Sequence, residues 1–299
     1  MKKILLTLLL STTLWTAEAQ EKLWYNKPAT NWLEALPIGN SHLGAMIYGQ
    51  TDGETIQLNE ETFWSGSPHN NNSPEAKVNL QEVRDSIFEG KEEAAHTILD
   101  KYFFKGPHGM RFLPLGKLEL YGGIDFEQTS HFRRELNLED AVCTTTFKNK
   151  RNGVTYTREV FASQADNVIV MRLKADKKGK LDFSLAHWCS GLKNSSHVKD
   201  GELVATIQNV EQEGIPGGLT AEIRALVKSD GQWDNTPDII VVKGATEATI
   251  YITAATNFVN YQDISGHPSE ITQQTIASVR EQNYKELYAR HLKKYQEQY

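Results

Sequence analysis

Between Leu113 and Phe258 the chain is a succession of short runs rich in β-branched and aromatic residues, separated by clusters of turn formers. Val168-Ile169-Val170-Met171 and Thr249-Ile250-Tyr251-Ile252-Thr253 are strand-like runs, while Leu181 to His187 and Leu219 to Val227 alternate apolar with polar residues. Lys148 to Gly153, Lys199 to Gly201 and Gly214 to Gly218 supply the turns. So many strands at such short spacing predict packed antiparallel sheets, a mainly β fold.

The flanks add other elements. Glycines from Gly44 to Gly49 bracket Ala45-Met46-Ile47-Tyr48, and Ile56 and Leu58 alternate with Gln57 and Asn59, which predicts a turn-rich strand pair at the start. Leu80, Val83 and Ile87, then Ala94, Ala95, Ile98, Leu99 and Tyr102, recur at helical spacing. Two short helices are therefore expected after the first strands, opened near Ser73-Pro74 and parted at Gly90. Beyond Gly266-His267-Pro268 the pattern is helical to the end. Leu287, Tyr288, His291, Leu292, Tyr295 and Tyr299 share one face, and a face this apolar docks against something. No cap or breaker precedes Tyr299, which predicts that the chain continues in the intact protein.

Residues 1–19 read as an export signal: Lys2 and Lys3, an apolar run from Ile4 to Leu10, and Ala17-Glu18-Ala19 before a mature start at Gln20. The expected location is periplasmic or secreted. No stretch reaches the roughly 18 apolar residues of a membrane helix, so no membrane span is expected. Losing Lys2, Lys3 and Glu18 takes the formal charge from −6 to −7. A negative chain repels phosphate backbones, which argues against nucleic acid and is compatible with neutral sugars. At 299 residues, with 39% apolar and 23% charged residues, one large domain with a sizeable core is expected.

The chemistry is sparse. There is no HExxH, paired-cysteine ladder, P-loop, GxGxxG after a strand or GxSxG elbow, so neither metal nor cofactor is expected. Cys143 and Cys189 are the two cysteines, at no recognisable spacing, and two buried thiols are expected over a disulfide. Glycoside hydrolysis needs two carboxylates flanking the scissile bond. Glu60 and Glu61 are neighbours on an extended segment, so their side chains are expected on opposite faces. Glu34 and Glu60 would meet only through tertiary folding. No catalytic residue is assigned. Trp32, Trp64 and His42, near turns, are the candidates for contact with a sugar or another domain, against simple packing. Glu34, Asn59 and Glu60 join them as contact candidates.

These segments carry a resemblance. Trp32-Leu33-Glu34-Ala35-Leu36-Pro37-Ile38-Gly39-Asn40-Ser41-His42-Leu43-Gly44-Ala45-Met46 resembles the opening of the N-terminal domain of family 95 glycoside hydrolases, the α-L-fucosidase type. Ile56-Gln57-Leu58-Asn59-Glu60-Glu61-Thr62-Phe63-Trp64-Ser65-Gly66 follows at that family's spacing. Leu113 to Leu118, Phe132 to Leu138, Tyr156 to Ser163 and Thr253 to Phe258 resemble later blocks in order, and His291 and Tyr295 resemble the helix leading into the catalytic domain. His42 stands where arginine is common and Phe63 where leucine is common. The first departure bears on any ionic contact between that position and the catalytic domain.

The resemblance implies a β-supersandwich over residues 20–266 and a helical linker over 267–299, leading to an (α/α)6 barrel that this stretch lacks. In the family the barrel holds a general-acid glutamate and a water-activating aspartate helped by asparagines. It hydrolyses α-L-fucosyl linkages of glycans with inversion, and some members prefer L-galactose. By resemblance the partners are fucosylated glycans, met by the full-length enzyme, and the covalently following catalytic domain. The stretch itself is then an inactive scaffold. A freestanding carbohydrate-binding module and an inactive truncated gene product are the alternatives.

Overall fold

The computed structural model describes residues 21–299 except 105, 107 and 108. The expected export signal over 1–19 lies outside the described residues. Sixteen strands and four α-helices are present among the described residues. The chain opens with β1 (Lys22–Tyr25), a 3-10 turn at Trp32–Glu34, β2 (Leu36–Gly39), β3 (Leu43–Ile47) and β4 (Gly53–Glu60). The helical hairpin α1 (Ala76–Phe88) and α2 (Glu92–Tyr102) follows, parted at Gly90, whose φ of 73° is left-handed. Next come β5 (Lys117–Tyr121), β6 (Thr129–Asn137), β7 (Val142–Asn149), β8 (Thr155–Ser163), β9 (Val168–Ala175), β10 (Leu181–Trp188), β11 (Lys193–Lys199) and β12 (Glu202–Gln208). β13 (Thr220–Ser229), β14 (Gln232–Trp233), β15 (Ile240–Ala245) and β16 (Glu247–Thr256) complete the strands, and α3 (Pro268–Arg280) and α4 (Tyr284–Gln296) close the chain.

All strand pairs are antiparallel, in a nine-stranded sheet ordered β1-β6-β7-β8-β9-β16-β13-β12-β11 and a seven-stranded sheet ordered β14-β15-β10-β5-β4-β3-β2. The main core lies between them, built from inward residues such as Ile47, Ile56, Leu118, Leu185, Ile169, Met171, Ile223 and Ile250. β4 shows the half-buried alternation expected of it: Ile56, Leu58 and Glu60 point inward while Gln57 and Asn59 stay half-exposed.

β9 and β16 are buried along nearly their whole length because the nine-stranded sheet is covered on both faces. On its outer face Phe161, Val168, Val170, Leu226 and Tyr251 pack under Ile276 and Val279 of α3 and Leu287 of α4. The expected single terminal helix is thus a pair. The break follows from Asn283, whose side chain accepts from the Glu286 backbone while Glu286 reaches back to the Asn283 N–H.

The apolar face of α4 docks, as expected, and does so on the chain's own sheet and loops: His291 is buried, and Tyr288 and Tyr295 are half-buried. His291 Nε2 donates to the Asp140 carbonyl at 2.7 Å and Tyr295 donates to the Leu138 carbonyl at 2.6 Å. Only Tyr299 of that face remains largely open.

α3 is also held by charge. Arg224 of β13 donates to Glu202 at 2.5 Å and to Glu222 at 2.8 Å, Thr272 of α3 donates to Glu222, and Arg280 pairs with Glu202. Cys143 is a buried free thiol; Cys189 is free as well but only half-buried, less enclosed than expected. Among the described residues no helix is long and apolar enough to cross a membrane.

Candidate functional site

The Trp32 and Glu34 candidates share the 3-10 turn before β2. Asn31 caps it by accepting from the Leu33 N–H, and buried Arg134 anchors its far side, donating to the carbonyls of Lys27 and Glu34 at 2.8 and 2.7 Å. The Glu34 carboxylate accepts from the backbone and hydroxyl of Thr30, which hold its pKa below the ordinary carboxylate value. Trp32 projects outward, 52% exposed. Glu34 and Glu60 are thus engaged by different loops and form no pair.

His42 sits in the turn joining β2 to β3. Asn40 builds that turn: its Oδ1 accepts from the backbone of His42 and Leu43 at 3.2 and 2.7 Å, and its Nδ2 donates across the sandwich to the Ser163 carbonyl. Ser41 takes a φ of 74°, the left-handed conformation that swings His42 toward β4. Pairing of Leu43 with Glu60 then sets His42 beside the end of β4, where the Glu61 N–H donates to the His42 carbonyl.

The imidazole joins the two neighbouring glutamates. Nδ1 lies 2.8 Å from Glu61 Oε1 and Nε2 lies 3.4 Å from Glu60 Oε1. The expectation that Glu60 and Glu61 point to opposite faces therefore fails. β4 ends at Glu60, Glu61 already belongs to the turn, and strand alternation no longer governs it.

Glu60 is the buried member. Its Oε2 accepts from the backbone and hydroxyl of Thr62, both at 2.8 Å, and Thr62 Oγ1 meets Thr256 Oγ1 at the end of β16. Burial pushes the Glu60 carboxyl up, against the Thr62 hydrogen bonds and the His42 ring, which favour its charged form. Among the described residues His42, Glu60 and Glu61 are the group able to hold a metal ion, with one ligand atom from each lying within 4.8 Å of the others.

Trp64 closes this corner. Its Nε1 donates to the Glu61 carbonyl at 2.9 Å and its ring meets Phe112 at 5.1 Å, leaving it 41% exposed. Beside it lies a pocket of about 240 Å³ lined by Trp64, His69, Met110, Phe258 and Tyr261 among others. Asn59 stands apart, half-exposed on the outer face of the seven-stranded sheet opposite Gly44. The structure thus brings together His42, Glu60 and Trp64, and leaves Trp32, Glu34 and Asn59 outside. Sequence reasoning missed Glu61, Thr62 and Tyr261 as members of this corner, although Glu61 and Thr62 lie inside the Ile56 to Gly66 block.

A family model described as the N-terminal domain of glycosyl hydrolase family 65 matches residues 23–261. The protein named Alpha-L-fucosidase 2 of Arabidopsis thaliana is 28% identical across 92% of this chain and 35% of its own length. Probable alpha-fucosidase A of Aspergillus oryzae is 27% identical across 91% of the chain and 39% of its own length. The chain thus spans little over a third of these curated relatives. A solved structure named for a kojibiose phosphorylase from the human microbiome covers 92% of the chain with a TM-score of 0.55 at 10% identity, a likeness of fold alone. The chain is therefore a member of the glycosyl hydrolase family 65 N-terminal domain family, and its resemblance to the N-terminal domain of the α-L-fucosidase-type enzymes is borne out along nine-tenths of its length.

Proposed function

We propose that this chain is the amino-terminal scaffold of an exported, inverting α-L-fucosidase that acts on fucosylated glycans, with hydrolysis carried out by a barrel domain encoded after Tyr299. The observation that carries this reading is the match to fucosidase-named relatives over nine-tenths of this chain and little over a third of theirs.

The corner at His42 supports the division of labour. An inverting pair of carboxyl groups stands about 6.5–9.5 Å apart to admit sugar and water. The facing oxygens of Glu60 and Glu61 fall within 4.8 Å, the His42 ring engages both, and Glu60 is closed to solvent. The exposed rings of Trp64 and Trp32 serve contact with sugar or with the following domain rather than bond cleavage.

Sequencing the gene past the codon for Tyr299 tests the reading. An open frame of several hundred codons rich in helical periodicity is the expected result; an immediate stop overturns it. A freestanding carbohydrate-binding module is the second reading. The covered face of α4 favours it, because the chain needs no second domain to bury its last helix. Calorimetric titration with fucosylated glycans separates the two, since saturable binding by residues 20–299 alone is required of a module.

A further inference from the structure

Glu60 has one oxygen in use and one bare. Oε2 accepts twice from Thr62, whereas Oε1 is buried, in a residue only 1% exposed, and has no hydrogen-bond partner. A buried polar atom left so is costly, and more so on a charged group. The atom it faces is Nε2 of His42 at 3.4 Å, a pair that makes no aligned hydrogen bond.

That separation suits a different bond. Zinc binds imidazole nitrogen and carboxylate oxygen at about 2.0–2.2 Å, and the edge of such a tetrahedron is about 3.4 Å. A cation placed between the two atoms would occupy the bare oxygen and the imidazole lone pair together. The other ring nitrogen is already held: Nδ1 lies 2.8 Å from the Glu61 carboxylate, the outer partner that fixes tautomer and ring direction in metal-bound histidines. The His42 side chain is 29% exposed, so water has access to the remaining positions.

We propose that His42 Nε2 and Glu60 Oε1 are two ligands of an open divalent-metal site of zinc type, with Glu61 orienting the imidazole from outside. The ligand atoms come from the β2–β3 turn and the end of β4, which strand pairing and Asn40 hold in register. With two protein ligands the site is weaker than a closed structural zinc centre.

Calorimetric titration of untagged, EDTA-dialysed protein with zinc chloride near neutral pH provides the test. One saturable site is expected, weakened at least tenfold in His42→Ala and by a smaller factor in Glu61→Gln. Because Glu60→Gln alters a buried group and can fail to fold, cobalt(II) supplies the second readout. Wild type should give the strong visible absorption of four-coordinate cobalt, and His42→Ala, folded by circular dichroism, should lose it. Equal zinc affinity in wild type and His42→Ala, absence of saturable binding, or a weak six-coordinate cobalt spectrum would each overturn the site and leave His42 as a structural contact to Glu61.

Discussion

Phe161 of β8 and His291 of α4 stack with ring centroids 4.6 Å apart and 28° between their planes. The contact fastens the last helix to the outer face of the nine-stranded sheet. Tyr284 and Tyr288 add edge-on contacts to the same phenyl ring. Phe161 is fully buried, so Phe161→Ala should cost about 3–5 kcal/mol of stability. Urea unfolding followed by tryptophan fluorescence measures the loss, and a cost below about 1 kcal/mol would show that the helix is not docked as described.

Arg224 is the cation between Glu202 and Glu222 under α3. Arg224→Ala leaves two carboxylates in a largely buried site without their shared partner, which should cost about 3–5 kcal/mol. Arg224→Met combined with Glu202→Leu and Glu222→Leu removes the three buried charges, leaves the partly exposed Arg280 to water, and should recover most of that loss. Urea midpoints of the single and triple variants check both statements.

Burial pushes the imidazoles of His187 and His291 below the ordinary histidine value, against the carbonyls of Leu115 and Asp140 that they contact. Their folded pKa values are thus depressed, and between those values and about 6.5 the unfolded chain binds protons that the folded chain does not. Stability should be fully present above about pH 6.5 and decline as pH falls toward the folded values, by at most about 1.4 kcal/mol per pH unit for each histidine. Unfolding midpoints measured from pH 7.5 down to 5 check the slope, which should flatten in His187→Gln.

The export reading predicts processing after Ala19. Expression of the whole chain in a secreting bacterial host, followed by intact mass and N-terminal sequencing, should return a product starting at Gln20. A cytoplasmic product retaining Met1 to Ala19 would remove the periplasmic or secreted assignment.

Much of the fold was legible because burial leaves a period. The unbroken run Val168 to Met171 marked a strand, which the fold then covers on both faces, and the alternation around Ile56 and Leu58 marked one covered on a single face. The break between α3 and α4 was also written, as Asn283 three residues before Glu286, but a continuous apolar face masked it. The candidate site was less legible. Neighbours in a strand diverge, so Glu60 and Glu61 looked separate until the strand end and the arrival of His42, nearly twenty residues earlier, joined them. The ion network around Arg224 joins β12, β13 and α3, and no local pattern announces such a meeting.

That bond cleavage lies outside these residues is tested most directly by incubating purified residues 20–299 with a fucosyl-lactose and following free L-fucose. No release above the buffer blank is the expected result, because Glu60 is buried and too close to Glu61 to flank a glycosidic bond and water. Sustained release proportional to protein concentration, lost in Glu61→Gln, would contradict it and place the chemistry in this corner.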